Sequence, residues 1–130
     1  MRYLLDSHTF FGISGSNELS SKAKNIIDAQ NNDLLISIAS LWEISIKYGL
    51  GKLVIEGSYD SIADDLTENE IEILPINFAH TKVQATLPFH HKDPFDRILV
   101  AQSISENIDL ISKDDIFDKY FKGEAVKRIW

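Results

Sequence analysis

Four acidic residues could act together, although each also has a local structural duty open to it. Asp6 closes the apolar run Arg2–Asp6, and Asp114 follows the apolar run Asp109–Ser112. Asp96 ends the segment Asp93-Pro94-Phe95-Asp96, and Glu43 lies between Trp42 and Ile44. Brought together, these carboxylates repel one another, which raises some of their pKa values and destabilises an empty site. A hard divalent cation such as Mg²⁺ or Mn²⁺ relieves the repulsion through oxygen ligands. Such an ion lowers the pKa of a bound water and stabilises charge on a phosphate oxygen. Chemistry of that kind needs no serine, cysteine or histidine nucleophile.

The local readings are specific. Asp6 can cap a helix that follows it. Asp93 as N-cap, Pro94 at the first helical position and an acid three residues after the cap make a strong helix start. Arg97, four residues after Asp93, stands where it could pair with it. Asp114 or Asp115 can begin a short helix containing Ile116 and Phe117. Glu43 can pair with Lys47 one turn on, a surface pair worth about 0.3–0.5 kcal/mol. Glu43 resists a purely local reading, because Leu41, Trp42, Ile44, Ile46, Tyr48 and Leu50 leave its helix little polar face. A carboxylate in such company must be paired, protonated or bound to metal, since burying it bare costs several kcal/mol.

The elements that must position these acids alternate between short β-like runs and longer helical stretches. Strands are predicted at Arg2–Asp6, Leu34–Ser37, Ile71–Ile76, Asp109–Ser112 and Val126–Trp130. Helices are predicted over Ser20–Asn31, Ile38–Leu50, Tyr59–Asn69, Asn77–Leu87, Pro94–Glu106 and Asp115–Tyr120. Ser20 or Ser21 and Asn77 suit N-caps, while Gly49 and Gly51 suit left-handed C-terminal positions. Lys52–Glu56 reads as an extended connection, and Pro88 to Lys92 as a linker. Strands separated by helices favour an α/β sandwich on a mostly parallel sheet. Ligands of open parallel sheets bind beyond the carboxyl ends of strands, where the strand order reverses. Asp6 and Asp114 fall at such ends. With no repeat, low-complexity tract or internal boundary, residues 1–130 are expected to form one domain.

Composition narrows the classes. The 130 residues are 44% hydrophobic and 25% charged, which suits a globular domain with one core. No apolar run reaches the roughly 18 residues of a spanning helix. Met1-Arg2-Tyr3-Leu4-Leu5-Asp6 meets a charge too early for a signal-peptide core, so no membrane association is expected. The absence of cysteine excludes disulfides, zinc–thiolate sites and thiol catalysis, and fits a reducing cytoplasm. The net charge is −7, from 20 acidic and 13 basic residues. That balance argues against a large phosphate-gripping surface. It fits an enzyme whose metal ions supply positive charge, and one that docks with a basic partner.

Four segments taken in order resemble the PIN-domain nucleases, specifically the VapC-type toxins of toxin–antitoxin pairs. They are Tyr3-Leu4-Leu5-Asp6-Ser7-His8, Ser40-Leu41-Trp42-Glu43-Ile44, the run from His91-Lys92-Asp93-Pro94-Phe95-Asp96-Arg97 into Ile98-Leu99-Val100-Ala101-Gln102, and Leu110-Ile111-Ser112-Lys113-Asp114. The third segment is the most distinctive, and the resemblance covers essentially the whole chain. It implies an α/β fold, a single PIN-like domain with a central mostly parallel sheet flanked by helices on both sides. It implies Mg²⁺ or Mn²⁺ held by Asp6, Glu43, Asp96 and Asp114, which are also the expected catalytic residues. Asp115 and Asp118 are near enough to replace Asp114, and Asp93 can support the cluster as a cap or neighbouring acid. Ser7 and Ser112 stand where similar proteins often carry threonine, and serine keeps the hydroxyl. The implied reaction is endonucleolytic hydrolysis of RNA, transfer RNA among the substrates, by metal-activated water. The implied partners are a cognate antitoxin and a second copy of the chain.

Other readings remain open on the residues. Lys47, Arg97 and Lys113 can hold an RNA backbone or serve as salt-bridge partners. His8, His90 and His91 suggest a histidine-ligated metal, although turn and packing roles are commoner for such clusters. Trp42, Phe95 and Trp130 can stack on bases; core packing is the expectation for Trp42 and Phe95, and a partner interface for Trp130. An acidic α/β signalling or interaction domain that binds metal without cutting RNA is the alternative function. Phospho-acceptor receiver domains usually show an adjacent acidic pair after the first strand, whereas Asp6 is followed by Ser7.

Overall fold

Alternate residues of each strand point to opposite sides, and here both sides are apolar. In a computed structural model describing residues 1–130, the strands are β1 (Arg2–Leu5), β2 (Asp33–Ser37), β3 (Ile71–Leu74), β4 (Asp109–Ile111) and β5 (Arg128–Ile129). They form one sheet in the order β3-β2-β1-β4-β5, with every neighbouring pair parallel. Tyr3, Leu5, Leu34, Ile36, Ile71 and Ile111 supply one face, and Leu4, Leu35, Leu74 and Leu110 the other.

Helices cover both faces, as the sequence resemblance implies. Phe10 of α1 (Ser7–Ile13), Ala23 of α2 (Ser21–Asp28), Leu41 and Ile44 of α3 (Ile38–Gly49) and Ile62 of α4 (Ser61–Glu68) pack on the first face. Leu99 and Val100 of α6 (Pro94–Glu106), with Phe117 and Tyr120 of α7 (Phe117–Phe121), pack on the second. Helix α5 (Phe78–Thr86) lies on α6, where Val83 and Leu87 meet Ile98 and Ala101. No helix is long and apolar enough to cross a membrane.

Local chemistry sets the boundaries. The Ser20 hydroxyl accepts from Ala23 N–H at 3.0 Å to start α2. Asn77 caps α5 in a reciprocal box with His80, whose Nδ1 accepts from Asn77 N–H at 3.1 Å. Gly51 takes a left-handed φ of 71° after α3, as expected. Gly49 does not, because the helix runs through it and turns only beyond Leu50. The last strand is shorter than Val126–Trp130, and α7 starts two residues later than Asp115.

The topology matters most for function. The chain lays down β1, β2 and β3 outward in one direction, then returns to place β4 and β5 beyond the other side of β1. The order therefore reverses between β1 and β4, and a crevice opens past their carboxyl ends.

Candidate active site

Asp6 is the first residue past β1, at that reversal. Its Oδ1 caps α1 by accepting from Thr9 N–H at 2.8 Å. Its Oδ2 accepts from the Ser112 hydroxyl at 2.5 Å, across from the end of β4. The same Ser112 oxygen accepts from Asp114 N–H at 3.1 Å, so one buried hydroxyl ties the two strand ends together. Capping and membership of the acidic group are thus compatible for Asp6.

Asp96 arrives from the first turn of α6. Asp93 starts that helix as expected, its Oδ1 accepting from Phe95 N–H at 2.8 Å and Asp96 N–H at 3.4 Å. The Asp96 Oδ2 lies 3.2 Å from His91 Nε2. Burial pushes the Asp96 carboxyl up to about 7, and the negative charge of Asp93 adds to the rise. His91 pulls it back, while Glu43 and Asp114 raise it further. Glu43 comes from α3 with only 19% of its side chain exposed, and its Oε2 lies 3.6 Å from Lys47 Nζ. Asp114, exposed beyond β4, accepts from Ile116 N–H at 3.1 Å.

Asp6, Glu43, Asp96 and Asp114 all border one cleft of about 400 Å³. Ninety residues separate Asp6 from Asp96 in the chain, yet both face this space. Lys47 and Lys113 stand at its walls, with Phe95 as an apolar member. Asp115 and Asp118 do not line it. Asp118 is held by Arg128 through Nε at 2.9 Å and Nη2 at 3.0 Å, which keeps its carboxyl below the ordinary range.

The donor set suits a hard cation. Carboxylates dominate the cleft, with hydroxyls from Ser7 and Ser40 and no thiolate. The charge of neighbouring acids on Asp96 is the repulsion that a cation relieves. The tightest group is nevertheless His91, Asp93 and Asp96, whose donor atoms lie within 4.8 Å of one another. Asp6, Glu43 and Asp114 stand further apart around the same space.

Several expectations fail on burial. Arg97 neither pairs with Asp93 nor borders the cleft; it is 5% exposed and donates to carbonyls of the 84–88 segment and to Tyr120. Trp42 is no core residue. It is 61% exposed, with its ring edge-on to Phe95 at 5.4 Å. The apolar neighbours of Glu43 do not enclose it, because Ile46 and Leu50 also face outward. His8 lines the cleft and meets Trp130 edge-on at 5.9 Å, while His91 bonds directly to an acid. Tyr120 enters the sequence analysis only as the end of the helix Asp115–Tyr120, and nothing local marks its bonding role, since its partners lie 23 and 29 residues away.

The fold has known counterparts. The PIN domain family pattern matches residues 3–122. Sequence comparison with curated proteins finds no match. Among solved structures, VapBC2 from Rickettsia felis, bound to a DNA fragment from its promoter, aligns at 20% identity with a TM-score of 0.71, covering 98% of each chain. VapBC-1 from nontypeable Haemophilus influenzae aligns at 17% identity and a TM-score of 0.68, covering 99% of this chain and 97% of that one. DNA-bound VapBC from Salmonella typhimurium aligns at 14% identity and 0.67, covering 98% of each. A parallel five-stranded sheet, acids gathered at its reversal point and a family match over nearly the full length lead to one assignment: the chain belongs to the PIN domain family.

Proposed function

We propose that this PIN domain is a Mg²⁺- or Mn²⁺-dependent endoribonuclease, the VapC-type toxin of a type II toxin–antitoxin pair. The observation that carries the proposal is that Asp6, Glu43, Asp96 and Asp114, from four separate parts of the chain, border one cleft. These four residues hold the cation, with Asp6 fixed by Ser112 and Thr9 and Asp96 fixed within the first turn of α6. When bound, the cation supplies Lewis acidity toward water and neutralises charge on the scissile phosphate. Lys47 and Lys113 attract the flanking phosphates. Phe95 lines the cleft and exposed Trp42 meets it edge-on, and stacking of bases on aromatic rings is worth about 1–3 kcal/mol per base.

The natural substrate is RNA, with transfer RNA the first class to test. The solved relatives are named as VapBC assemblies, which supports a cognate antitoxin as partner. A basic antitoxin side chain entering the acidic cleft competes there with the cation. The chain works in the cytoplasm and pairs with a second copy of itself.

The test is cleavage of an RNA panel, including transfer RNA, with Mg²⁺ or Mn²⁺ and with EDTA. Cleavage is expected only with the ion. Asp6→Asn and Asp96→Asn are each expected to lower it by roughly 10²–10³-fold or more, the scale of a lost electrostatic stabiliser, and to relieve growth inhibition. Full activity in both variants ends the carboxylate mechanism. Cation binding without cleavage of any RNA favours the interaction-domain alternative.

A further inference from the structure

The loop between α5 and α6 is held more firmly than a connection requires. Arg97, buried on the inner side of α6, donates from Nη1 to the Pro88 carbonyl at 2.8 Å and to Tyr120 Oη at 3.2 Å. Its Nη2 donates to the carbonyls of Leu87 at 3.3 Å and Gln84 at 3.4 Å. The Phe89 ring covers the guanidinium carbon at 4.1 Å. A buried cation without a carboxylate partner is costly unless its donors are satisfied, and here backbone carbonyls, Gln84 in α5 and Leu87 and Pro88 beyond it, provide three of the four acceptors. Tyr120 completes the grip. Its oxygen accepts from His91 N–H at 2.8 Å, and its hydroxyl donates to the His91 carbonyl at 3.1 Å. His90 meets the same ring edge-on at 5.0 Å.

What this grip fixes is the backbone of His91, from which its ring reaches toward Asp93 and Asp96. Asp93 N–H points at its Nδ1, 3.4 Å away, which assigns the ring proton to Nε2. That Nε2–H reaches Asp96 Oδ2 at 3.2 Å, and no protein donor reaches Asp96 Oδ1. At the ends of β1 and β4, the Ser112 hydroxyl treats Asp6 Oδ2 in the same manner.

We infer that His91 is a positioning residue for cation binding: its backbone is held by Tyr120, which Arg97 braces, and its ring holds one oxygen of Asp96 and leaves the other for the ion. The inference rests on the reading of Asp96 as a ligand. It treats the close set of His91, Asp93 and Asp96 as one ligand with two supports, since Asp93 is already engaged as the cap of α6.

The experiment uses the full chain and Mn²⁺ alone, with the dissociation constant measured by calorimetry or spin resonance. His91→Ala is expected to weaken Mn²⁺ binding about 10–100-fold, the usual effect of removing a partner behind a ligand. His91→Gln, whose amide can donate to Asp96, is expected to recover most of the loss. Tyr120→Phe should weaken binding in the same direction while the His91 side chain stays intact. Spin-echo spectra of the Mn²⁺-loaded wild type are expected to show no directly bound nitrogen. Strong nitrogen coupling that disappears in His91→Gln makes His91 a ligand and overturns the positioning role. Wild-type affinity in His91→Ala, alongside lost binding in Asp96→Asn, overturns the role of His91 and leaves the metal site standing. A wild type that binds no Mn²⁺ overturns both.

Discussion

At the scale of single residues, three of the four acids, Asp6, Asp96 and Asp114, were legible because each sits where an element begins or ends, whereas Glu43 lies inside α3. Asp6, Asp93 and Asp114 follow strands or precede helices in ways that short-range rules recognise. Trp42 and Arg97 were misread for one reason. A helix periodicity tells which residues share a face, but not which faces another element will cover. Nothing packs outside Trp42, while α7 and the 84–91 segment close over Arg97. The raised Asp96 carboxyl yields a signed expectation for the protein without metal. Between about pH 4 and 7 the folded state keeps a proton on Asp96 that the unfolded chain has released, so the stability linked to this group is lost as pH rises. Asp96→Asn removes that loss. Urea unfolding in chelator should therefore show the stability of Asp96→Asn gaining on the wild type from pH 5 to 8. Added Mn²⁺ should then stabilise the wild type and leave the variant unmoved. A difference that stays constant with pH would mean that Asp96 ionises freely in the folded protein.

At the scale of elements, the best-read helix was α6, whose observed span Pro94–Glu106 coincides with the expected one. Asp93, Pro94 and the periodic apolar residues all favour the same start, so no tertiary contact had to override them. What the sequence could not reveal is how α5, α6 and α7 are fastened. Arg97 joins the end of α5 to α7 through bonds spanning 9 to 23 residues. Replacing it with methionine keeps much of the stem but deletes every one of those bonds. Charge-assisted hydrogen bonds are worth about 1.5–3 kcal/mol each, less when water can replace the lost donor. An overall loss of about 2–3 kcal/mol is expected for Arg97→Met in urea unfolding, with faster amide exchange over residues 88–91. Arg97→Lys is also expected to destabilise, because a compact ammonium cannot span acceptors set for a planar fork. Wild-type stability in both variants would show the network to be incidental.

At the scale of the whole molecule, the strand order had to come from structure, since five short apolar runs are compatible with many orders. Only the reversal between β1 and β4 turns Asp6 and Asp96, 90 residues apart, into neighbours of one cleft. The same molecule carries a net charge of −7, so its field repels a polyanion outside the cleft. If the proposed function holds, attraction for RNA rests on the cation and on Lys47 and Lys113, the lysines at the cleft. Two phosphate contacts to a single strand correspond to a log–log salt slope of about −1.4. From 50 to 200 mM KCl, at fixed Mn²⁺, kcat/KM on an RNA oligonucleotide is accordingly expected to fall by roughly sevenfold. A protein making six to ten phosphate contacts with a duplex loses about 10³–10⁵ in affinity over that range. Lys47→Gln and Lys113→Gln should each flatten the slope by about 0.7. A slope steeper than about −4 in the wild type would require about six phosphate contacts, well beyond the two lysines at the cleft, and would point to a second, cationic component carrying the RNA.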